Sequence, residues 1–121
     1  MKRAVISLSE PVAEEETRPA PERLLAGQPL QSVANYYSDA SQQFHVGRWR
    51  STAGKWRVSY TEHEFCHLLG GRVRLYDAAG KVQEFGAGES FVVPAGFNGI
   101  FEVLEPCEKL YAIFDESTQS R

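Results

Sequence analysis

The sequence predicts a single all-β domain folded as a barrel or a sandwich. From Phe44 onward, short apolar runs recur, and each ends at a turn signal such as Gly70-Gly71 or Pro94-Ala95-Gly96. Strands spaced in this way, with glycine and proline between them, are typical of sandwiches and barrels. Every window of helical length between residues 44 and 114 contains a turn signal, so no long helix is expected there.

Eight strands are expected between these turns. The clearest contains Trp56, Val58 and Tyr60, which alternate with polar residues at the two-residue period of a strand that buries one face. The predicted strands cover residues 44–50, 55–60, 63–69, 73–76, 82–85, 89–93, 99–104 and 109–114. The folded domain is assigned to residues 24–121, although residues 24–38 carry no clear period.

The N-terminal segment has a different composition. Residues 10–23 are rich in proline and glutamate and contain almost no large apolar side chains. Such a stretch buries too little apolar surface to offset the entropy lost on ordering. Residues 10–23 are therefore expected to be mobile or extended, and residues 1–23 are assigned to a mobile N-terminal tail.

Length, charge and cysteine content exclude several classes of protein. The chain has 121 residues, which suits one domain, and its net charge of −3 gives no basic field to attract nucleic acid or an anionic membrane. No apolar run approaches the roughly 20 residues of a membrane span, and the start of the chain does not resemble a signal peptide. Two cysteines, Cys66 and Cys107, are too few for a disulfide framework, so a cytoplasmic location is expected.

The segment from Gly88 to Gly96 is the most specific motif in the chain. Gly88 can turn the chain into an apolar strand, Pro94 ends that strand because it cannot donate a ladder hydrogen bond, and Gly96 permits a tight reversal. This spacing resembles the first part of the second cupin motif, and Glu64 followed by Gly71 resembles the end of the first. The resemblance implies a cupin-type jelly-roll barrel, also called a double-stranded β-helix.

A closer resemblance covers most of the chain from about Pro21 onward. It is a similarity to the small single-domain cupins grouped with the (S)-ureidoglycine aminohydrolase cupin domain, within the RmlC-like cupins. That similarity implies a cytoplasmic barrel, often dimeric, with a pocket in the barrel mouth. The segments that carry it are Ala26-Gly27-Gln28-Pro29, Gly47-Arg48-Trp49, Gly54-Lys55-Trp56-Arg57-Val58, residues 64–73 and Lys109-Leu110-Tyr111.

The cupin pattern also implies a metal site, of which this sequence keeps one ligand, Glu64. The pattern has His-x-His three or four residues before the glutamate and a third histidine after the second motif. One carboxylate does not hold a specific first-row metal ion, so no cofactor is expected, although Cys66 could supply a replacement thiolate. The histidine positions hold Val58 and Tyr60 for a three-residue gap, Arg57 and Ser59 for a four-residue gap, and Gly99 for the third.

Residues 63–67 satisfy a second metal-site pattern by coincidence. They read His-Glu-Phe-Cys-His, as in the His-Glu-x-x-His motif of zinc proteases. That motif requires a helix, in which residues four apart share one face. On the strand predicted here, the two histidines would lie about 13 Å apart along the chain at ~3.3 Å per residue, which rejects the protease interpretation.

Strand parity gathers a candidate site around Glu64. If Glu64 faces the barrel interior, Cys66 does so too, and the last strand places Lys109 and Tyr111 together on one face. A carboxylate, a cation and phenols in apolar surroundings suit acid–base catalysis or the binding of a small polar ligand. The predicted catalytic residues are Glu64, Tyr60 and Lys109, and the predicted ligand-binding residues are Trp49, Trp56, Cys66, Phe97 and Tyr111.

Structural roles compete with each of these assignments. Glu64 and Lys109 could form a purely structural ion pair, Cys66 could be an inert buried residue, and the tryptophans could belong to the core. If the opposite face of the last strand points inward, the pocket loses its cation. His63 and His67 share the face opposite Glu64 and are not expected to take part.

Two hypotheses of function follow. The first is a metal-independent cupin that binds a small polar metabolite, with acid–base chemistry by Glu64 or Tyr60 on a nitrogen-containing or sugar-like substrate and Lys109 stabilising an anion. The second is a non-catalytic sensor or regulatory subunit. The hydrolase reaction of the ureidoglycine group is disfavoured because it implies a metal. A homodimer is expected, since a sheet face and edge strands need cover and segment 24–43 could pair across such a contact.

Overall fold

The structure, a computed structural model, describes residues 3–116. These residues form nine β-strands and one short 3-10 helix (Pro21–Arg23), and none of their helices is long and apolar enough to span a membrane. Residues 1, 2 and 117–121, which the predictions assign to the tail and to the end of the domain, lie outside the described part. The strands are β1 (Glu15–Thr17), β2 (Leu24–Gly27), β3 (Gln31–Ser38), β4 (Phe44–Ser51), β5 (Gly54–Ser59), β6 (His63–Asp77), β7 (Val82–Gly86), β8 (Ser90–Val93) and β9 (Asn98–Phe114).

Two long strands, β6 and β9, organise the fold. They pair antiparallel along nearly their whole length, and the register shifts between Leu68 and Val73. The first half of β6 and the second half of β9 are flanked by β8 on one side and by β4, β3 and β1 on the other. The remaining halves are flanked by β7 and by β5 and β2. One antiparallel sheet is thus curled over on itself into two facing layers.

Gly71 permits the close crossing of β6 over β9 at the register shift. Its φ of +85° lies in the left-handed region. A Cβ at this position would collide with the carbonyl oxygen of Pro106 and lie 2.6 Å from the Cα atom of Cys107. Only glycine satisfies both the dihedral angle and the lack of space.

The hydrophobic core fills the space between the two layers. Alternate residues of β6 and β9 point into it, as expected for strands with one buried face. On the side of β7 and β8, the rings of Phe85 and Phe91 stack at 4.4 Å and close the gap. The side between β5 and β3–β4 holds the candidate site. The buried core residues are Trp56, Leu68, Val73, Leu75, Val93, Phe101, Val103 and Cys107.

The predicted fold class is confirmed, but several strand boundaries were wrong. The predicted strands 63–69 and 73–76 are parts of β6, and 99–104 and 109–114 are parts of β9. The segments Gly70-Gly71 and Glu105-Pro106 bend continuous strands rather than ending them. Their composition is that of turns, but the pairing between β6 and β9 continues past both.

Three strands lie before residue 44, where the sequence predicts none. β2 pairs with β5, and β3 pairs with both β4 and β1, so segment 24–43 pairs within its own chain. β1 and an ion pair of 2.5 Å between Glu14 and Arg50 connect part of the predicted tail to the sheet. The mobility of residues 1–23 stays a prediction.

Candidate ligand-binding pocket

A pocket of about 250 Å³ opens between the two layers, in the mouth of the barrel. One wall comes from β5 and the first half of β9, which pairs with β5. The other wall comes from β3, β4, β6 and the second half of β9. The walls are largely aromatic and aliphatic, with a few polar groups among them. The lining residues are Gln31, Val33, Trp49, Trp56, Val58, Tyr60, Glu64, Phe101, Lys109, Tyr111 and Ile113.

A buried ion pair forms the base of this pocket. The Lys109 Nζ atom lies 2.9 Å from Glu64 Oε2, and the exposed fractions of the two residues are 3% and 9%. Lys109 also donates to the Cys66 sulfur at 3.4 Å, and the Cys66 thiol donates to Glu64 Oε2 at 3.4 Å. The ammonium, carboxylate and thiol therefore contact one another in a closed triangle.

Strand register brings the triangle together. Glu64 and Cys66 are two residues apart on β6, so both face the interior. On β9, Lys109 lies opposite Leu68 of β6 and Trp49 of β4. This position lets the lysine stem run over apolar neighbours while its ammonium reaches Glu64.

Aromatic rings complete the surroundings of the ammonium. Lys109 Nζ lies 4.7 Å from the ring centre of Trp49 and 5.2 Å from that of Phe101. Trp56 stacks on Phe101 with 5.4 Å between ring centres. The negative faces of such rings attract a cation, most strongly where water is excluded.

Near neutral pH, Lys109 carries its positive charge and Cys66 is uncharged. Burial is the largest influence on the pKa of Lys109 and lowers it, but attraction to the Glu64 carboxylate, together with smaller contributions from Cys66 and Tyr60, outweighs burial, so the pKa of Lys109 is raised. Burial raises the pKa of Cys66 to about 12, against a smaller lowering by Lys109, so Cys66 is a neutral thiol. A buried protonated thiol is a poor nucleophile.

Both tyrosines of the pocket stay protonated. Burial raises the pKa of Tyr60, and the Lys109 ammonium opposes only part of the rise. Burial likewise raises the pKa of Tyr111 to about 12. The Tyr111 hydroxyl donates to Asn35 Oδ1 at 2.7 Å, which leaves its oxygen lone pairs free to accept a bond.

Two polar groups face the pocket without a partner. Within residues 3–116, no side chain or backbone group forms a hydrogen bond with the Gln31 amide or the Tyr60 hydroxyl. Gln31 is only 8% exposed, although it lines the pocket. In the part of the chain that the structure describes, the one buried side-chain nitrogen or oxygen without a partner is Arg48 Nε. The Gln31 amide and the Tyr60 hydroxyl are therefore accessible from the pocket, where they offer a ligand bonds that the protein does not use.

The pocket contains most of the residues that the sequence analysis selects. Five line it together with Glu64, and Cys66 lies at its base against the ion pair. Phe97 lies elsewhere: it packs edge-on against Tyr60, with 6.1 Å between ring centres, and lines a separate cavity of about 200 Å³ near Phe85 and Phe91. The five are Trp49, Trp56, Tyr60, Lys109 and Tyr111.

Two lining residues on β3, Gln31 and Val33, were not predicted. A polar residue that faces inward breaks the apolar alternation, so the strand carries little signal. Gln31 and Val33 are two residues apart, which places both on one face of a strand, and this parity is the clue that the sequence offers. Val58, Phe101 and Ile113 are also missed as lining residues, although each lies in a predicted strand.

The two histidines of the protease-like pattern lie apart from the pocket. Both belong to strand β6, which confirms that this segment is not a helix. His63 Nδ1 accepts a bond from the backbone N–H of Ala95 at 3.1 Å. His67 Nδ1 lies 2.7 Å from the Ser90 hydroxyl oxygen.

Comparison with known families agrees with this architecture. The sequence model of the EutQ-like cupin domain matches residues 38–111, more than half of the chain. The chain belongs to the EutQ-like cupin domain family. No functionally curated protein matches its sequence. The match to the EutQ-like cupin domain confirms the expected cupin superfamily.

Solved structures support the cupin fold. A DUF861-family protein of unknown function from Pseudomonas syringae pv. tomato matches 91% of this cupin at 22% identity with a TM-score of 0.76, and this chain covers 44% of it. The EutQ protein of Clostridium difficile matches 72% at 14% identity with a TM-score of 0.65, and 64% of it is covered. A DUF1255 protein from Acidithiobacillus ferrooxidans matches 83% at 23% identity with a TM-score of 0.60, and 89% of it is covered. This cupin thus spans less than two thirds of the first two proteins, and identities this low show the fold alone.

The residues of this cupin do not fit the metal site of the cupin pattern. Trp56 and Val58 face the pocket from β5, so the pocket-facing alternatives for the first two histidines are Val58 and Tyr60. At the third position, a Cβ on Gly99 would collide with the carbonyl oxygen of Tyr76 and lie 2.8 Å from the Phe97 ring. Within residues 3–116, no group of three or more His, Cys, Asp or Glu side chains could hold a metal ion.

Proposed function

We propose that this cupin binds a small polar metabolite in the pocket between its two layers. The observation that carries the proposal is a pocket with a buried Glu64–Lys109 pair at its base and two unpartnered polar groups, from Gln31 and Tyr60, in its walls. Pockets of this kind, apolar with a few convergent polar groups, are the usual form of small-molecule sites.

The polar groups define the kind of ligand. Gln31 offers both a donor and an acceptor, and the Tyr60 hydroxyl offers the same. The charge of Lys109 is already balanced by Glu64, so a ligand with a net charge would not be neutralised. These features favour an uncharged molecule with amide or hydroxyl groups and a face that packs on Trp49 or Trp56, consistent with the expected nitrogen-containing or sugar-like ligand.

The electrostatics favour binding over acid–base catalysis. A general acid or base works best with a pKa near the operating pH, whereas the pKa values of Tyr60 and Lys109 are both raised well away from neutrality. An enzymatic version would rely on Glu64 as base and on the Lys109 ammonium to stabilise a developing anion. This fixed protonation is the observation that favours the second hypothesis, a non-catalytic ligand sensor or regulatory subunit.

The remaining assignments are part of the proposal. The protein would act in the cytoplasm as a homodimer, without nucleic acid, membrane or resident metal. The narrower resemblance to the ureidoglycine aminohydrolase cupins stays a prediction. We do not extend the hydrolase reaction to this chain, because it implies a metal site that Val58, Tyr60 and Gly99 do not supply.

Native mass spectrometry with a cellular metabolite extract tests the proposal. The full chain is incubated with the extract, exchanged into a volatile buffer and weighed, and bound molecules are identified by their masses. We expect one adduct per chain for the wild type. Gln31→Leu, which leaves the ion pair intact, should weaken retention about tenfold through the loss of a hydrogen bond, and Glu64→Gln should abolish it.

A surface variant provides the matched control. Glu84 accepts bonds from Arg72 and Arg74 on the outside of the barrel, so Glu84→Gln should retain the adduct fully. Circular dichroism confirms that each variant is folded. Equal retention by all four proteins would remove this pocket from consideration, as would the absence of any adduct from the wild type.

A further inference from the structure

The Lys109 ammonium occupies a position that resembles that of a bound metal ion. It lies within hydrogen-bond distance of a carboxylate oxygen of Glu64 and of the sulfur of Cys66. Carboxylate oxygen and cysteine sulfur are both atoms that bind zinc and cobalt in proteins. Two donor atoms that converge on one cation form an incomplete coordination sphere. In this protein the cation is the Lys109 ammonium rather than a metal ion.

The other ligand positions of the cupin metal pattern carry no imidazole or carboxylate in this chain, since they hold Val58, Tyr60 and Gly99. Val58 and Gly99 provide no donor atoms, and no side chain fits at Gly99 without displacement of Tyr76 or Phe97. The base of the pocket therefore contains one buried carboxylate, and it needs one buried positive charge. Lys109 alone supplies that charge among the residues lining the pocket.

We propose that the Lys109 ammonium replaces a divalent metal ion at the base of the pocket and excludes such ions from Glu64 and Cys66. An approaching divalent ion meets a like charge on the same two donor atoms, in surroundings that water does not screen. It must also displace the ammonium from Glu64 and remove the proton from the Cys66 thiol. The inference concerns metal exclusion and holds whether or not the pocket binds the proposed metabolite.

Replacement of Lys109 by histidine should convert the pocket into a metal site. Lys109→His removes the ammonium and adds an imidazole, so Glu64, Cys66 and the new side chain supply three donor atoms of the kinds that bind zinc and cobalt. The aromatic rings of Trp49 and Phe101, which face the ammonium in the wild type, remain. Lys109→Gln removes the charge and adds no imidazole. It therefore separates the effect of removing the ammonium that excludes metal ions from the effect of adding a histidine that binds them.

The experiment is a titration of each full-length protein with Co²⁺ at pH 7.5, followed by the near-ultraviolet absorption of a cobalt–thiolate bond. We expect no thiolate band for the wild type and one equivalent of Co²⁺ for Lys109→His, bound at least about 100-fold more tightly. The band should vanish in Lys109→His/Cys66→Ser, which separates Cys66 from the other thiol, Cys107. Lys55→His is the matched control, because Lys55 also lies over an aromatic ring, that of Tyr76 at 4.9 Å, outside the pocket; it should behave like the wild type.

Two results would overturn the inference. The first is a thiolate band at one equivalent in the wild type, a measurement that does not depend on the folding of any variant. The second is a folded Lys109→His protein, verified by circular dichroism, that binds Co²⁺ no better than the wild type. If Lys109→His does not fold, Lys109→Gln undergoes the same titration, and an affinity equal to that of the wild type counts against exclusion by charge.

Discussion

Removal of the Lys109 charge should destabilise the fold strongly, because Glu64 would then be a buried carboxylate without a cation. We choose Lys109→Met, which keeps an unbranched apolar stem against Trp49 and Phe101 and removes the ammonium. In the wild type the two charges are 2.9 Å apart and nearly inaccessible to water. Breaking such a buried pair by removal of one partner costs about 3–5 kcal/mol.

The size of this loss makes it measurable. Domains of this length have a free energy of unfolding of about 5–15 kcal/mol, so the variant loses a large part of it. The expected fall in melting temperature is roughly 10–20 °C. Urea unfolding at 25 °C and pH 7, followed by far-ultraviolet circular dichroism, gives the change; fluorescence is unsuitable because Trp49 contacts the ammonium.

A double-mutant cycle identifies the cause of the loss. In Lys109→Met/Glu64→Gln both charges are absent, so we expect the double variant to be more stable than Lys109→Met alone. The coupling energy between the two positions should be at least about 2 kcal/mol. A loss below about 1 kcal/mol for Lys109→Met, or additive losses in the cycle, would refute the view that an uncompensated carboxylate determines the stability of the pocket base.

Two further predictions concern the bend and the buried thiols. Gly71→Ala should destabilise the protein by about 2–3 kcal/mol, because alanine would have to adopt a positive φ and its Cβ would collide with Pro106. The control is Gly70→Ala, whose Cβ meets open space and which should change the urea midpoint little. Equal effects of the two substitutions would contradict the close crossing of β6 over β9. Burial raises the pKa of Cys66 to about 12 and of Cys107 to about 11, so these thiols stabilise the fold below their ordinary pKa and lose that contribution as the pH rises toward the folded values. Urea unfolding should therefore show a loss of about 2 kcal/mol between pH 9 and pH 10, and Cys107→Ser should reduce this slope; a flat profile would mean that the thiols are accessible to water.

Local alternation predicted part of the fold accurately. β5 spans Gly54–Ser59, within one residue of the prediction at each end, because apolar and polar residues alternate without interruption. The breaks predicted in β6 and β9 failed for a different reason. A glycine pair or a proline has the same local composition in a turn and in a bend, and the difference depends on whether a distant strand continues to pair beyond it.

The candidate site was predictable where a motif and strand parity coincided. Glu64 follows from the cupin motif, and parity on two strands adds Cys66 and Lys109, whose inward orientation the structure supports with the ion pair. Gln31 was not predictable, because an inward polar residue removes the alternation that would mark its strand. No motif or strand parity supported the choice of Phe97, and its ring packs edge-on against Tyr60 and lines a separate cavity.

The measurement that tests the central claim most directly is the metal content of wild-type protein purified without chelators from cells grown with added zinc, iron, manganese and cobalt. Elemental mass spectrometry of the folded protein gives the number of metal ions per chain. With Lys109 as the cation of the pocket, we expect less than about 0.1 equivalent of each metal. One equivalent of any of them that disappears in Cys66→Ser would contradict the account, because Glu64 and Cys66 would then hold an ion that Lys109 is proposed to replace.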